Sequence, residues 1–487
     1  MKRPSKARRR RILLGGLVVI VVLVGVVAFG AWYKLFREVP QQFDTPAEDF
    51  KYGSIGNETA EGVPFLIWTV LPEMFPEYLP GAGGYQSLGF VQEKGRETPI
   101  GFSKKTVGFP RIGFNCAACH SGTFRTEPEP ARQTVLTAPS TRADFQRYAR
   151  FLAAAGADRR FTEDNVLRAI ERRVDLSWLD RALYRYIIIP RTRDGLREQQ
   201  RRLAWMNSRP DWGRGRIDPF NPVKFHQLRL DPAKDRTIGN SDMEPLWQMG
   251  KKSGYSLHWD GLNDNLTEVV LTGAIGDGAT SLTGEAPSKS LPVDDLKRIE
   301  EFIKQARPPE YPFPIDRRLA ASGERTFQSR CASCHEFGGK RTGTVIPLEE
   351  VGTDRNRLDM WTREAADRYN EYAREYPFNF TRFVKTNGYV SVPLDGVWLR
   401  APYLHNGSVP TLEDLLEPPG DRAKHFYRGY DVYDRKRTGF IHQGAEARRL
   451  GFEYDVRVPA NGNGGHRYGT DLPAGEKRAL IEYLKTR

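Results

Sequence analysis

Residues 12–33, ILLGGLVVIVVLVGVVAFGAWY, run for 22 positions without a charge. At about 1.5 Å rise per residue, a helix of that length spans a hydrocarbon core of about 30 Å. Secretory leaders have shorter apolar stretches of ~7–15 residues, so the pattern predicts an uncleaved transmembrane anchor over 12–33. Beyond it the periodicity turns helical. Phe145, Tyr148, Phe151 and Leu152, then Val166, Leu167, Ile170 and Val174, fall on helical faces and predict helices through 139–208. From 209 to 290 Gly, Pro, Asn and Asp dominate around isolated aromatics, which predicts long loops, and loops of that length in a compact domain usually cover a functional face. Gly323, Phe327 and Cys331 recur at i, i+4 and i+8, and Leu480, Tyr483 and Leu484 stripe a closing helix. ARPPEYPFPID, residues 306–316, reads as a linker. The expected architecture is mainly α. It has a basic segment (1–11), the anchor (12–33), an N-terminal domain (34–310) and a C-terminal domain (311–487).

Composition narrows the class. With 487 residues, 39% hydrophobic and 28% charged, the chain is globular and long enough for two cores. The formal charge of +13 would suggest an anionic partner, but seven cations lie within residues 1–11, leaving +6 scattered over the rest. RTRDGLREQQRR, residues 191–202, reads as a solvated helix face, and no nucleic-acid partner is expected. The cations before the apolar span and Trp32-Tyr33 after it orient the N-terminus to the cytoplasm. Everything from Lys34 onward is then expected in a bacterial periplasm, held at the inner membrane by one helix.

All four cysteines occur in two copies of one pattern, FNCAACHSG at 114–122 and SRCASCHEF at 329–337. A Cys-x-x-Cys pair alone fits a redox dithiol or half of a zinc site; the histidine that follows decides between them. Two thiols one helical turn apart reach the two vinyl groups of a haem while the adjacent imidazole swings beneath the iron. The motifs therefore predict two covalent haem c groups, on Cys116 and Cys119 with His120, and on Cys331 and Cys334 with His335. Around the second motif, the preceding helix and the closing helix resemble a class I cytochrome c, in which first and last helices cross; Gly323 would permit the close approach. TVGFPRIGFN, before the first motif, carries Gly and Pro at helix-breaking spacing. For the sixth iron positions the chain offers His226, His258, His405, His425, His442 and His466, with Met206, Met243, Met249 and Met360.

RAPYLHNGSVPTLEDLLEPP, residues 400–419, resembles the segment after the second haem motif in the di-haem cytochrome c peroxidase and MauG superfamily. NGNGGHRYGTDLPAGEKRALIEYL, residues 461–484, is similar to the closing segment of its RoxA-like, rubber-oxygenase-related branch, and LHWDG, residues 257–261, fits that branch too. The resemblance covers most of the chain from about residue 100. It implies that His466 is the distal ligand opposite His335, and that Tyr403 and His405 lie around the same haem. It also puts His258 and Trp259 on the distal face of the first haem, the reactive one by elimination. Rubber-cleaving relatives carry an aromatic carbocycle where His258 stands, and an imidazole can instead ligate iron or move a proton. Asp260 and Glu244 are secondary acid/base candidates. The superfamily also implies calcium between the domains, with no ligand assigned. The expected function is reduction of hydrogen peroxide, with electrons passed between the haems. A RoxA-like dioxygenase cleaving a hydrophobic, isoprenoid-like substrate is one alternative, and an electron-transfer subunit without catalysis is another. The expected partners are an electron-donor protein or quinol pathway, a small oxidant (peroxide or dioxygen) and the lipid bilayer.

Overall fold

The computed structural model describes residues 6–279, 291–374 and 382–487. The start of the basic segment, 1–5, and the end of the expected loop region, 280–290, lie outside the described residues. The helix Lys6–Leu35 is exposed wherever its side chains are described as far as Tyr33, and Leu13–Leu35 is long and apolar enough to cross a membrane, as an anchor or a signal sequence would be.

After this helix the chain builds a four-stranded antiparallel sheet from Glu38–Val39, Phe102–Val107, Phe109–Phe114 and Val63–Pro64, in that spatial order. The two six-residue strands form a hairpin that runs directly into the first Cys-x-x-Cys-His. The missing helix before that motif is thus replaced by a β-hairpin, with Pro110 tolerated in a short strand. The helical region follows the periodic pattern, with helices at Phe145–Ala157, Glu163–Glu171, Trp178–Leu183 and Ile189–Arg202. Asp144, Thr162 and Ser177 cap the first three, each side chain accepting a backbone N–H three residues on. Between 209 and 279 the backbone is mostly irregular, but Leu266–Gly276 is a helix capped by Asn265. Its run LTEVVLTGAIG buries Leu271, Ala274 and Ile275 but exposes only Thr267, Gly273 and Gly276, so the polar face that marks surface helices is weak there.

Packing crosses the sequence boundary expected near 310. One core joins Phe50, Leu271, Ile299 and Ile303 to Met360, Trp361, Tyr369 and Phe383; another joins Phe124 and Trp247 to Phe327, Trp398, Tyr403 and Leu480. The helix Val293–Gln305 buries Leu296, Ile299 and Ile303 and ends before Pro308-Pro309. The proline-rich segment after it is tied down by Trp398, whose indole N–H donates to Pro309 O at 3.1 Å. The helices Arg317–Arg330 and Ala474–Leu484 cross where the sequence placed Gly323: a Cβ there would lie 1.9 Å from Ala479 O. Only glycine lets these backbones approach so closely.

Candidate haem sites

The first motif is presented by local hydrogen bonding. Asn115 caps the short helix Cys116–Cys119 by accepting from Ala117 N at 3.0 Å, while its amide donates to Gly53 O at 2.9 Å. His120 Nδ1 donates to Glu244 O at 2.7 Å, which fixes the tautomer and leaves Nε2 free for a metal. Burial pushes the His120 pKa down to about 4, so the ring is neutral, as a ligand must be. Cys116, Cys119 and His120 line a cavity of about 300 Å³, and His258 and Trp259 line it too.

Residues 257–261 form a tight turn closed by Leu257 N–H to Asn263 O at 2.7 Å. His258 sits there at φ 63°, a conformation rare for residues other than glycine. Trp259 Nε1 donates to Asp242 O at 2.9 Å, and Asp260 is buried against Arg357 at 3.1 Å. His258 Nε2 is buried without a hydrogen-bond partner. Its pKa is pushed to about 4, by burial first, with Asp260 opposing and Arg357 and His120 adding to the fall. Glu244 also lines the cavity; burial raises its carboxyl to about 7 against the pull of Arg357.

The cavity suits a porphyrin in two further respects. Much of its wall is apolar, from Phe220, Leu257, Leu266, Val269 and Val270, as the faces of a macrocycle need. Lys252 and Arg400 line it as cations for propionates. Among the described residues the Lys252 ammonium contacts Met249 Sδ at 3.7 Å, and burial lowers its pKa to about 8; Arg400 is held by Asp395 at 2.5 Å while its Nε is buried without a partner. Met243 and Met249 lie in the same wall, whereas Met206 and Met360 are packed in hydrophobic cores.

At the second motif His335 Nδ1 donates to Val392 O at 2.7 Å, repeating the arrangement of His120. The ring of His466 lies with its centre 6.2 Å from that of His335. With metal–nitrogen bonds of about 2 Å, two imidazoles facing one iron from opposite sides have centres about 6 Å apart, so the pair fits a shared metal. His466 is at φ 43°, its N–H donates to Val351 O at 2.7 Å, and its Nδ1 is buried without a partner. Arg422 donates to the carbonyls of Asn463, Gly465 and His466, and a Cβ at Gly465 would lie 2.3 Å from Thr353 N. The glycine-rich loop is thus wedged against residues 352–353, and the wedge holds the imidazole in place.

The remaining candidates are placed elsewhere. His425 pairs with Glu453 at the surface, His442 is buried against Phe440 O, and His226 lines a neighbouring cavity. Tyr403 belongs to the core that contacts Cys331, with its hydroxyl donating to Val397 O at 3.1 Å. His405 stacks on Tyr389, 4.0 Å between ring centres, and its carbonyl accepts from Asp242 N; burial pushes its pKa to about 3.

The sequence did not reveal the carbonyls of Glu244 and Val392, because a backbone acceptor has no side-chain signature. Nor did it reveal Lys252 and Arg400, which only folding brings to the cavity. Val392 also lines the first cavity, and Val390 N–H donates to Trp259 O at 2.9 Å, so residues 390–392 form a wall common to both sites.

Residues 388–427, which begin on that wall, match the family model described as RoxA-like, cytochrome c-like. The chain therefore carries a cytochrome c-like domain of RoxA type, which implies haem c. Among curated proteins it is similar to two of Sinorhizobium fredii. Uncharacterized protein y4iJ is 28% identical over 248 residues, covering 37% of this chain and 41% of that protein. Uncharacterized protein y4iM is 29% identical over 233 residues, covering 39% and 53%. The chain spans about half the length of these relatives.

Proposed function

We propose that this chain is a membrane-anchored, periplasm-facing di-haem c-type cytochrome that reduces hydrogen peroxide at the first motif. In this reading Leu13–Leu35 is an uncleaved anchor with its N-terminus in the cytoplasm. His335 and His466 would hold the iron of the second haem, which would suit it to pass electrons arriving from a donor protein or the quinol pool. A haem held by Cys116, Cys119 and His120 supplies electrons and an open coordination position. The observation that carries the proposal is the orphaned Nε2 of His258 in the cavity wall. A neutral imidazole there can take a proton from one peroxide oxygen and return it to the other as the O–O bond breaks. Over the whole reaction two electrons and two protons convert one peroxide into two waters. Trp259 and the Asp260–Arg357 pair hold the turn that presents the ring.

One observation favours a second reading, dioxygen-dependent cleavage of a hydrophobic substrate: the apolar wall of Phe220, Leu266, Val269 and Val270, together with the RoxA-like match. Resting-state EPR and steady-state turnover separate the readings. The proposal expects one low-spin and one high-spin haem, and a loss of about 10²- to 10⁴-fold in peroxide turnover for His258→Ala. Two low-spin haems would make His258 an iron ligand and the protein an electron carrier. An isoprenoid substrate cleaved under dioxygen, with peroxide turnover unaffected by His258→Ala, would establish the oxygenase.

A further inference from the structure

Beyond the anchor and its exit at Phe36, eight large apolar side chains are exposed among the described residues, and five of them fall within 174–187: Val174, Trp178, Leu179, Tyr186 and Ile187. Trp178 is 81% exposed and Tyr186 73%, on the helix Trp178–Leu183 and the turn after it. Isolated exposed apolar residues need no explanation, but a cluster with two aromatics at its tip does.

The cluster's position indicates what covers it. Lys34, at the end of the apolar helix, pairs with Asp180 at 2.7 Å, and Asp180 lies in the helix that carries Trp178 and Leu179. The chain leaving the anchor is pinned to the same body: Gly108 N–H donates to Arg37 O at 2.8 Å, and Glu38–Val39 pairs with Thr106 and Val107. The cluster therefore stands beside the point where the span emerges. We infer that Trp178, Leu179, Tyr186 and Ile187 are a second membrane contact, seated in the interfacial layer of the leaflet from which the anchor exits. Trp and Tyr favour that layer because an apolar ring and a polar N–H or O–H are both accommodated there. Arg181 and Arg185, flanking the aromatics, hold their guanidinium groups on Glu171 and Asp164 and can lay their stems on the lipid. Two attachments hold the first haem domain in one orientation on the bilayer, which a single helix with a flexible stalk would not do. The inference rests on the anchor reading above.

The full haem-loaded chain in phosphatidylcholine–phosphatidylglycerol vesicles tests it. The native cysteines all lie in the haem motifs, so an introduced cysteine is the one free thiol. Val21→Cys, Leu179→Cys, Tyr186→Cys and Tyr468→Cys are each treated with a charged maleimide before and after detergent is added. The inference expects Leu179→Cys and Tyr186→Cys to lose labelling in vesicles and regain it in detergent, while Tyr468→Cys labels in both. Free labelling at 179 and 186 with Val21→Cys still protected overturns the second contact and leaves the anchor standing. Free labelling of Val21→Cys in vesicles overturns the anchor, and the second contact with it. Protection at 179 and 186 that disappears when lipid is raised in excess over protein assigns the patch to a second copy of the chain and also overturns the inference.

Discussion

His258 and His466 both hold positive φ, 63° and 43°, and each has a buried ring nitrogen without a hydrogen bond. Such backbone costs about 1–3 kcal/mol per residue and persists where the surroundings enforce it. Here the enforcement is visible in the Leu257–Asn263 closure and in the three carbonyls gripped by Arg422. An unpaired buried nitrogen adds a further cost unless a ligand satisfies it, which supports the proposal that both rings stand beside a bound group. For His466 that ligand is the proposed iron of the second motif. His466→Ala should convert one low-spin EPR signal to high-spin and raise the potential of that haem in a redox titration, because a donor to ferric iron has gone. An unchanged spectrum would assign the distal position to another residue. At the first site His258→Phe replaces the imidazole with an aromatic carbocycle that can neither bind iron nor move a proton. It should depress peroxide turnover as His258→Ala does, while the spectrum of the second haem stays unchanged.

Two contacts between elements hold the sites in register. Where Arg317–Arg330 crosses Ala474–Leu484, Gly323→Ala sets a methyl against the Ala479 carbonyl, and backbone cannot yield as a side chain would. The variant should lose about 1–3 kcal/mol in urea unfolding. The second contact is Asp431, 1% exposed at its side chain, which receives Arg125 at 2.9 Å, Arg132 at 2.7 Å and Arg142 at 3.7 Å. Burial would raise its pKa, but Arg142, Arg132, the Thr123 hydroxyl and Arg125 outweigh it, and the net shift is downward. A depressed carboxylate contributes stability in full above its unfolded pKa of about 3.9, and that stability is lost as pH falls through the folded value. Asp431→Asn should therefore cost about 1–3 kcal/mol at neutral pH, because the half-buried Arg125 and Arg142 and the exposed Arg132 lose their carboxylate, and the gap from wild type should shrink in acid. Equal gaps at pH 7 and pH 3 in urea titrations would refute this account. The crossing helices were legible in the sequence because Gly323, Phe327 and Cys331 lie within three turns of one another. The hairpin before Cys116 was legible only as a break in helix, though its strands meet at Gly108; the Arg cluster on Asp431 and the carbonyl partners of His120 and His335 were not legible, since each depends on residues far apart in sequence. The helix Leu266–Gly276 was missed for a different reason: its exposed side carries threonine and glycines rather than charges, so it lacks the alternation that reveals a face.

At the scale of the whole molecule the two motifs belong to one interleaved body. Trp361 and Tyr369 complete the core formed by Phe50 and Ile299, Trp247 and Phe124 sit in the core of the closing helix, and residues 390–392 wall both sites. A haem at the second motif would therefore support more than its own neighbourhood. Cys331 and Ala332 flank the core that contains Phe327, Trp398 and Leu480, and Val392 connects His335 to the cavity of His120. If both motifs carry haem, a pyridine haemochrome assay on the purified chain gives two per polypeptide, and one or none would end the proposal. Replacing Cys331 and Cys334 together with alanine should then do more than remove one haem. The wall at 390–392 would lose the His335 side of its packing, so the Soret band of the first haem should shift and its unfolding midpoint in urea should fall along with the far-UV signal. A first haem with native spectrum and midpoint in that variant would show instead that the two cores stand independently, and that the wall they share transmits nothing between them.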